Sequence, residues 1–188
     1  QVTSEAEGDA GGVSITTGSL EVKNGARIDA STSSKGNAGS INITAEDTIV
    51  FDGESESGIF SGVLSRVEEG AEGNARGITI STNSLMVTNG AQISASTFAK
   101  GNAGSVNITA EDIVLFDGVS PNGIRSGASS QVLLGAEGDA GGINITTGSL
   151  AVTNGAQISA STFGIGNAGS VNITAEDTVL IDEIGRAH

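Results

Sequence analysis

"GNAGSVNITAED" occupies residues 101–112 and returns letter for letter at 166–177, while a third copy at 36–47 differs only by Ile41 in place of Val. An enzyme site is assembled once, from residues scattered along a chain, so literal repetition points to a repeated shape. The Gly-Asn/Asp-Ala signature that opens the phrase begins at Gly8, Gly36, Gly73, Gly101, Gly138 and Gly166, at intervals of 28, 37, 28, 37 and 28 residues. A short unit alternates with a long one. Together they make a super-repeat of 65 residues, and "TNGAQISASTF" at 88–98 accordingly recurs at 153–163.

Within each unit the pattern has a period of two. Seven residues after each signature glycine stand Ile15, Ile43, Ile80, Ile108, Ile145 and Ile173; five after it stand Val13, Ile41, Ile78, Val106, Ile143 and Val171. The position between them is Ser14, Asn42, Thr79, Asn107, Asn144 or Asn172. Apolar residues facing in and polar ones facing out describe a strand. In the first short unit this predicts strands over 13–17, 20–23 and 26–31, separated by turn chemistry at Asn24-Gly25; Asn89-Gly90, Asn154-Gly155, Asp52-Gly53 and Asp117-Gly118 mark the equivalent turns. Asn-Gly between strands is also the signal of a hairpin, so an antiparallel meander is the competing fold. Column identity decides against it: stacking successive circuits in parallel buries Ile on Ile, whereas hairpins give no reason for the columns to match.

The expected fold is therefore all-β, a parallel β-helix (β-solenoid) with three strands per coil and alternating coils of 28 and 37 residues starting near 8, 36, 73, 101, 138 and 166 in a single repeat domain over 1–188. Nearly six circuits at about 4.8 Å each make a rod of roughly 25–30 Å. In the long units the extra residues fall within 54–72 and 119–137, where "SGIFSG" and "NGIRSG" read as the third strand. Either Ile49 with Phe51, or Val50 with its neighbours, faces inward in the second strand; Ile49 and Phe51 are the preferred set.

Composition narrows the partners. The chain of 188 residues has 29 Gly, one Pro, five Phe and no Cys, Trp or Tyr, so its core rests on Ile, Val, Leu and Ala. The net charge of −14, from 22 acidic and 8 basic residues, argues against nucleic acid and anionic membrane surfaces. No apolar run approaches the ~20 residues of a spanning helix, and no secretory signal opens the chain, which reads as part of something larger. His188, after Gly-Arg-Ala, reads as a tag remnant or cut site.

"GNAGSVNITAED", "SLMVTNGAQISASTF" and "SGIFSG" resemble the repeat region of filamentous haemagglutinin-like exoproteins of the two-partner secretion type, especially those of cyanobacteria. The resemblance covers nearly the whole chain. It implies a right-handed β-helix, exported through an outer-membrane transporter partner and displayed or released at the cell surface as an adhesin shaft. The amino-terminal secretion domain of that family is not evident here.

The chemical motifs read as architecture. Glu46 with Asp47, Glu111 with Asp112 and Glu176 with Asp177 invite a polysaccharide-enzyme reading, but neighbours on a strand face opposite ways and cannot pair as acid and base. "GAEGDAGG" at 135–142, with Glu7, Gly8 and Asp9, is reminiscent of calcium-binding Gly-Asp repeats, whose nine-residue period is absent. The oxygen ligands of an acidic chain leave room for a calcium ion in a loop, and no cofactor is expected. The Asn-Ile-Thr copies read as outward Asn and Thr columns, an arrangement also found on ice-binding solenoids. No Ser-His-Asp or phosphate-cradling constellation can be assembled.

These readings converge on a non-catalytic structural and adhesive module. Glycan or matrix-polymer contacts are expected near 61–69 and 126–134, where the copies diverge ("VLSRVEEG" against "ASSQVLLG"). The alternatives are a polysaccharide-active enzyme on the same scaffold or an ice-binding solenoid. Strand edges left open at the ends predict end-to-end self-association.

Overall fold

The signature recurs because each copy sits on the one before it. The structure, a computed structural model, describes residues 7–182. At Gly101 and Gly138 the backbone φ is +135° and +156°, a conformation that L side chains rarely adopt. A Cβ at either would fall on the carbonyl oxygen of the signature glycine one unit earlier, Gly73 and Gly101 respectively. The next letter makes a ladder. The Oδ1 atoms of Asp9, Asn37, Asn74, Asn102 and Asp139 accept the backbone N–H groups of Asn37, Asn74, Asn102, Asp139 and Asn167 at 2.8–2.9 Å. Asn and Asp are interchangeable in this column because both present that oxygen.

The described residues form thirteen strands and no helix. In chain order these are β1 (Val13–Thr17), β2 (Leu20–Lys23), β3 (Arg27–Asp29), β4 (Ile41–Ala45), β5 (Thr48–Asp52), β6 (Gly62–Leu64) and β7 (Ile78–Thr88). They continue with β8 (Gln92–Ser94), β9 (Val106–Asp117), β10 (Gly127–Ser129), β11 (Ile143–Thr153), β12 (Gln157–Ser159) and β13 (Val171–Asp182). One sheet runs β1-β4-β7-β9-β11-β13, with β2 and β5 alongside; the other runs β3-β6-β8-β10-β12. Every pairing of named strands is parallel. Parallel strands in stacked sheets fit a β-solenoid and contradict a meander.

The register follows the sequence columns. Ile15, Ile43, Ile80, Ile108, Ile145 and Ile173 are successive Cα partners. Ile49 and Phe51 face inward and are fully buried, paired with Leu20 and Val22 on one side and Leu85 and Val87 on the other. Volume is balanced within units: the long ones carry Phe51 and Phe116 in the column where short units carry Val87 and Val152, but Val63 and Ala128 where short units carry Ile93 and Ile158. A larger residue on one sheet accompanies a smaller one on the other, as close packing requires.

Asn-Gly makes a corner here instead of a hairpin. Asn24 and Gly25 have φ of +57° and +82°, and the Ala26 N–H donates to the Lys23 carbonyl at 3.1 Å, the geometry of a type I′ turn. The strand that follows finds its partners in the neighbouring units, so the turn redirects the chain into the second sheet.

One element differs from the sequence reading. In the long units the third strand is Gly62–Leu64 and Gly127–Ser129, beginning five residues beyond the start of "SGIFSG" and "NGIRSG", at each motif's last glycine. Those motifs instead form the return arms of small antiparallel hairpins over 54–60 and 119–125, closed by the Glu54–Phe60 and Val119–Arg125 bridges. Ser61 N–H to Gly53 O at 2.9 Å, and Ser126 N–H to Gly118 O at 3.0 Å, pinch off the base of each hairpin. His188 lies outside the described residues.

Candidate functional site

The outer face of the second sheet is where the structure departs from uniform stacking. Strand alternation turns Val63, Ile93, Ala128 and Ile158 into the core, so Gln92 and Gln157 of one column and Ser94, Ser129 and Ser159 of the next point outward. On one side of these columns stand the hairpins, and on the other the chain that leaves the strands, carrying Arg66 and Gln131. Between them runs a groove of about 480 Å³, within the range of small-ligand clefts of ~300–1,000 Å³.

The hairpins are held to each other as well as to their bases. The Glu54 carboxylate accepts from Ser120 Oγ at 3.0 Å and from Asn122 Nδ2 at 2.7 Å, linking hairpins two units apart. Arg125 donates to the Gly155 carbonyl at 2.9 Å, and Gln92 Nε2 to the Arg125 carbonyl at 3.4 Å.

The groove concentrates aromatic and cationic side chains. The Arg27 guanidinium lies 4.1 Å from the centre of the Phe60 ring, and Arg66 lies 5.2 Å from Phe60 and 5.6 Å from Phe98. Arg66 Nε also donates to Ser94 Oγ at 3.2 Å. Burial pushes the Arg66 guanidinium below its ordinary pKa, which Glu68 partly opposes. At the equivalent place in the second long unit, Gln131 Nε2 donates to Ser159 Oγ at 2.7 Å, the same contact made by an uncharged side chain. Among the described residues no Asp or Glu lines the groove.

The residues singled out from sequence are otherwise placed. Glu46 and Asp47, and Glu111 and Asp112, are exposed. Asp112 accepts from Ser84 Oγ at 3.2 Å, and the Asp47 main-chain carbonyl accepts from Thr82 Oγ1 at 3.0 Å, so both serve the junction between the first two strands of a unit. In "GAEGDAGG", the Asp139 Oδ1 is occupied by the N–H and Nδ2 of Asn167 at 2.8 and 2.9 Å. Among the described residues no three acidic or His side chains converge on a common point. The outward Asn column is tied along the stack: Asn144 Nδ2 donates to Asn107 Oδ1 at 2.8 Å, and Asn172 Nδ2 to Asn144 Oδ1 at 2.9 Å.

The expected contact segments divide. In 61–69, Ser61, Val63, Leu64, Ser65 and Val67 are buried, because this stretch holds β6 and the wall that stacks beside it; Arg66 alone of the segment lines the groove. In 126–134, Ser126, Ala128, Ser130 and Val132 are likewise buried, while residues 126–129, with Gln131 and Leu133, line the groove. Sequence reasoning missed Phe60, Phe98 and Arg125. The signal that could have found them is the placing of Arg27, Phe60, Arg66 and Arg125 at or beside the third strand in a chain with only 8 cations and five Phe.

No family model, no curated protein and no solved structure matches this chain.

Proposed function

We propose that this chain is a non-catalytic shaft segment of a secreted or surface-displayed bacterial adhesin, of the filamentous haemagglutinin-like kind its repeats resemble. In this reading it is a right-handed β-helix with three strands per coil and alternating 28- and 37-residue coils. It is exported through an outer-membrane partner and touches saccharide polymers from its outward loops. The observation that carries the reading is the register: each repeat position sits on its counterpart, while the two long units diverge at the hairpin tips and groove wall. Selection for one shape repeated, with variety confined to one face, is what a presenting rod needs and an enzyme does not.

The lack of any carboxylate lining the groove supports a binding over a hydrolytic role, since glycoside hydrolysis uses a facing pair of acids. Incubation with a panel of acidic and neutral polysaccharides, followed by assay of reducing ends and unsaturated sugars, tests this. The expected result is no product. Release of either product by the purified chain overturns the non-catalytic reading in favour of a carbohydrate-active enzyme.

A further inference from the structure

We propose that the groove between the hairpins and the Arg66 wall binds an anionic polysaccharide lying along the stacking axis, an inference that rests on the adhesive reading above. The net charge of −14 sets the long-range field, but screening limits that field to about 8 Å at physiological salt. Within that distance a ligand meets the groove itself, where Arg66 and Arg125 are the ionised lining residues among those described. Arg125 is exposed. Its guanidinium offers planar donors suited to a carboxylate or sulfate oxygen pair.

The remaining lining fits a sugar polymer better than a lone anion. Phe60, with Arg27 and Arg66 over its ring, and Phe98 are half-buried and give the groove apolar surface against which a pyranose can rest. Gln92 and Gln157 share one outward column two units apart, giving hydroxyl-bonding amides repeated about every 9.6 Å along the axis. Arg66 and Arg125 belong to successive long units and stand on opposite walls of the groove, so an anion lying between the walls meets a guanidinium from either side. A ligand with acidic groups and repeating hydroxyls satisfies the guanidinium pair and the amide column together. A single phosphate leaves the amide column unused.

The test uses the whole chain with polygalacturonate, dextran sulfate and neutral dextran as probes, binding being measured by affinity electrophoresis or calorimetry. R66Q is designed on Gln131, which keeps the serine contact at the equivalent position, and R125Q alters an exposed side chain; circular dichroism confirms the fold of each. The wild type is expected to retain the polyanions and not dextran. Each variant should weaken binding about tenfold, the scale of one charged hydrogen bond. K100Q, which removes the same charge outside the groove, should leave binding unchanged. A preference for polygalacturonate identifies carboxylate as the natural anion, and a preference for dextran sulfate identifies sulfate. Failure of the wild type to bind either polyanion, retention of dextran to the same degree, or equal weakening by K100Q overturns the groove assignment. None of those outcomes touches the non-catalytic reading, which falls only on turnover.

Discussion

Replacing Gly138 by Ala should destabilise the chain far more than replacing Gly142, four residues away. At Gly138 the φ of +156° is costly for any L side chain, about 1–3 kcal/mol. The added Cβ also falls on the Gly101 carbonyl oxygen, so two layers must part where Gly101 N–H donates to Glu137 O at 2.8 Å and Ala103 N–H to Asp139 O at 2.9 Å. Weakening those two bonds adds about 0.5–1.5 kcal/mol each. The total is about 2–6 kcal/mol, and at ~2–4 °C per kcal/mol for a chain of this size the midpoint should fall by about 4–24 °C. At Gly142 the Cβ would lie 3.5 Å from Ser170 O and Oγ, an ordinary contact. Gly142→Ala should therefore be neutral or stabilise by about 0.4–1 kcal/mol through the unfolded chain. Urea unfolding followed by far-ultraviolet circular dichroism, with slopes compared between variants, measures both. A Gly138→Ala variant within about 1 kcal/mol of wild type would refute direct stacking of the signature column.

Other consequences of the stack are separately measurable. Ile108→Ala, at a side chain 1% exposed between Ile80 and Ile145, should cost about 2–5 kcal/mol in the same assay; a loss under 1 kcal/mol would place it outside the core. Asn102→Ala removes the acceptor of the Asp139 N–H and should cost about 1 kcal/mol, whereas Asn102→Asp keeps the oxygen and should be nearly silent; equal effects would deny the ladder. The Asn37 backbone N–H, followed by its side chain, holds the Asp9 carboxyl below its ordinary pKa. A depressed folded pKa gives stability that is present above the unfolded value, near pH 4, and is lost as pH falls through the folded one. Asp9→Asn should accordingly flatten the acid limb of stability below about pH 4, and superimposable limbs would show that Asp9 is not the sensor.

How much of this was legible depended on whether a residue belongs to a column. The inward set was readable because Ile43, Ile80 and Ile108 recur at one offset and each must meet its copy. The signature could be found by period, but its cause could not: nothing in the letters says that Asn74 bonds the next unit's backbone or that the Gly73 carbonyl blocks a Cβ at Gly101. The third strand of the long units was misplaced because Gly58-Ile59-Phe60 reads as strand by composition, while the real strand, Gly62–Leu64, is chosen by pairing with Arg27–Asp29 and Gln92–Ser94. Local propensity is weak against a register fixed on both sides. The groove was illegible for a related reason. Phe60, Arg66 and Phe98 are 6 and 32 residues apart in the chain, come from two units, and meet only through the stack.

Alternation of the two unit lengths has a steric explanation that joins scaffold to groove. The nine extra residues of a long unit divide into one at the junction of the first two strands, six in the hairpin and two in the turn before the next signature, as the register of Ile41 on Ile78, Thr48 on Ser84 and Gly62 on Gln92 shows. Each hairpin leans over the flat Asn-Gly corner of the preceding short unit. A Cβ at Gly25 would come within 2.7 Å of both Ser55 Cβ and Ile59 O, and one at Gly90 within 2.5 Å of Ser120 Cβ. The short unit's corner is bare because a neighbour's hairpin occupies the space above it. Two adjacent long units would set one hairpin into the volume of the other, so a run of long units is sterically closed and a run of short ones leaves no hairpin wall. Strict alternation is the arrangement that both fits and projects. It spaces the hairpins two units apart, close enough for Glu54 to bond Ser120 and Asn122, and the same spacing sets Phe60 of one hairpin and Arg125 of the next at equivalent places along the groove.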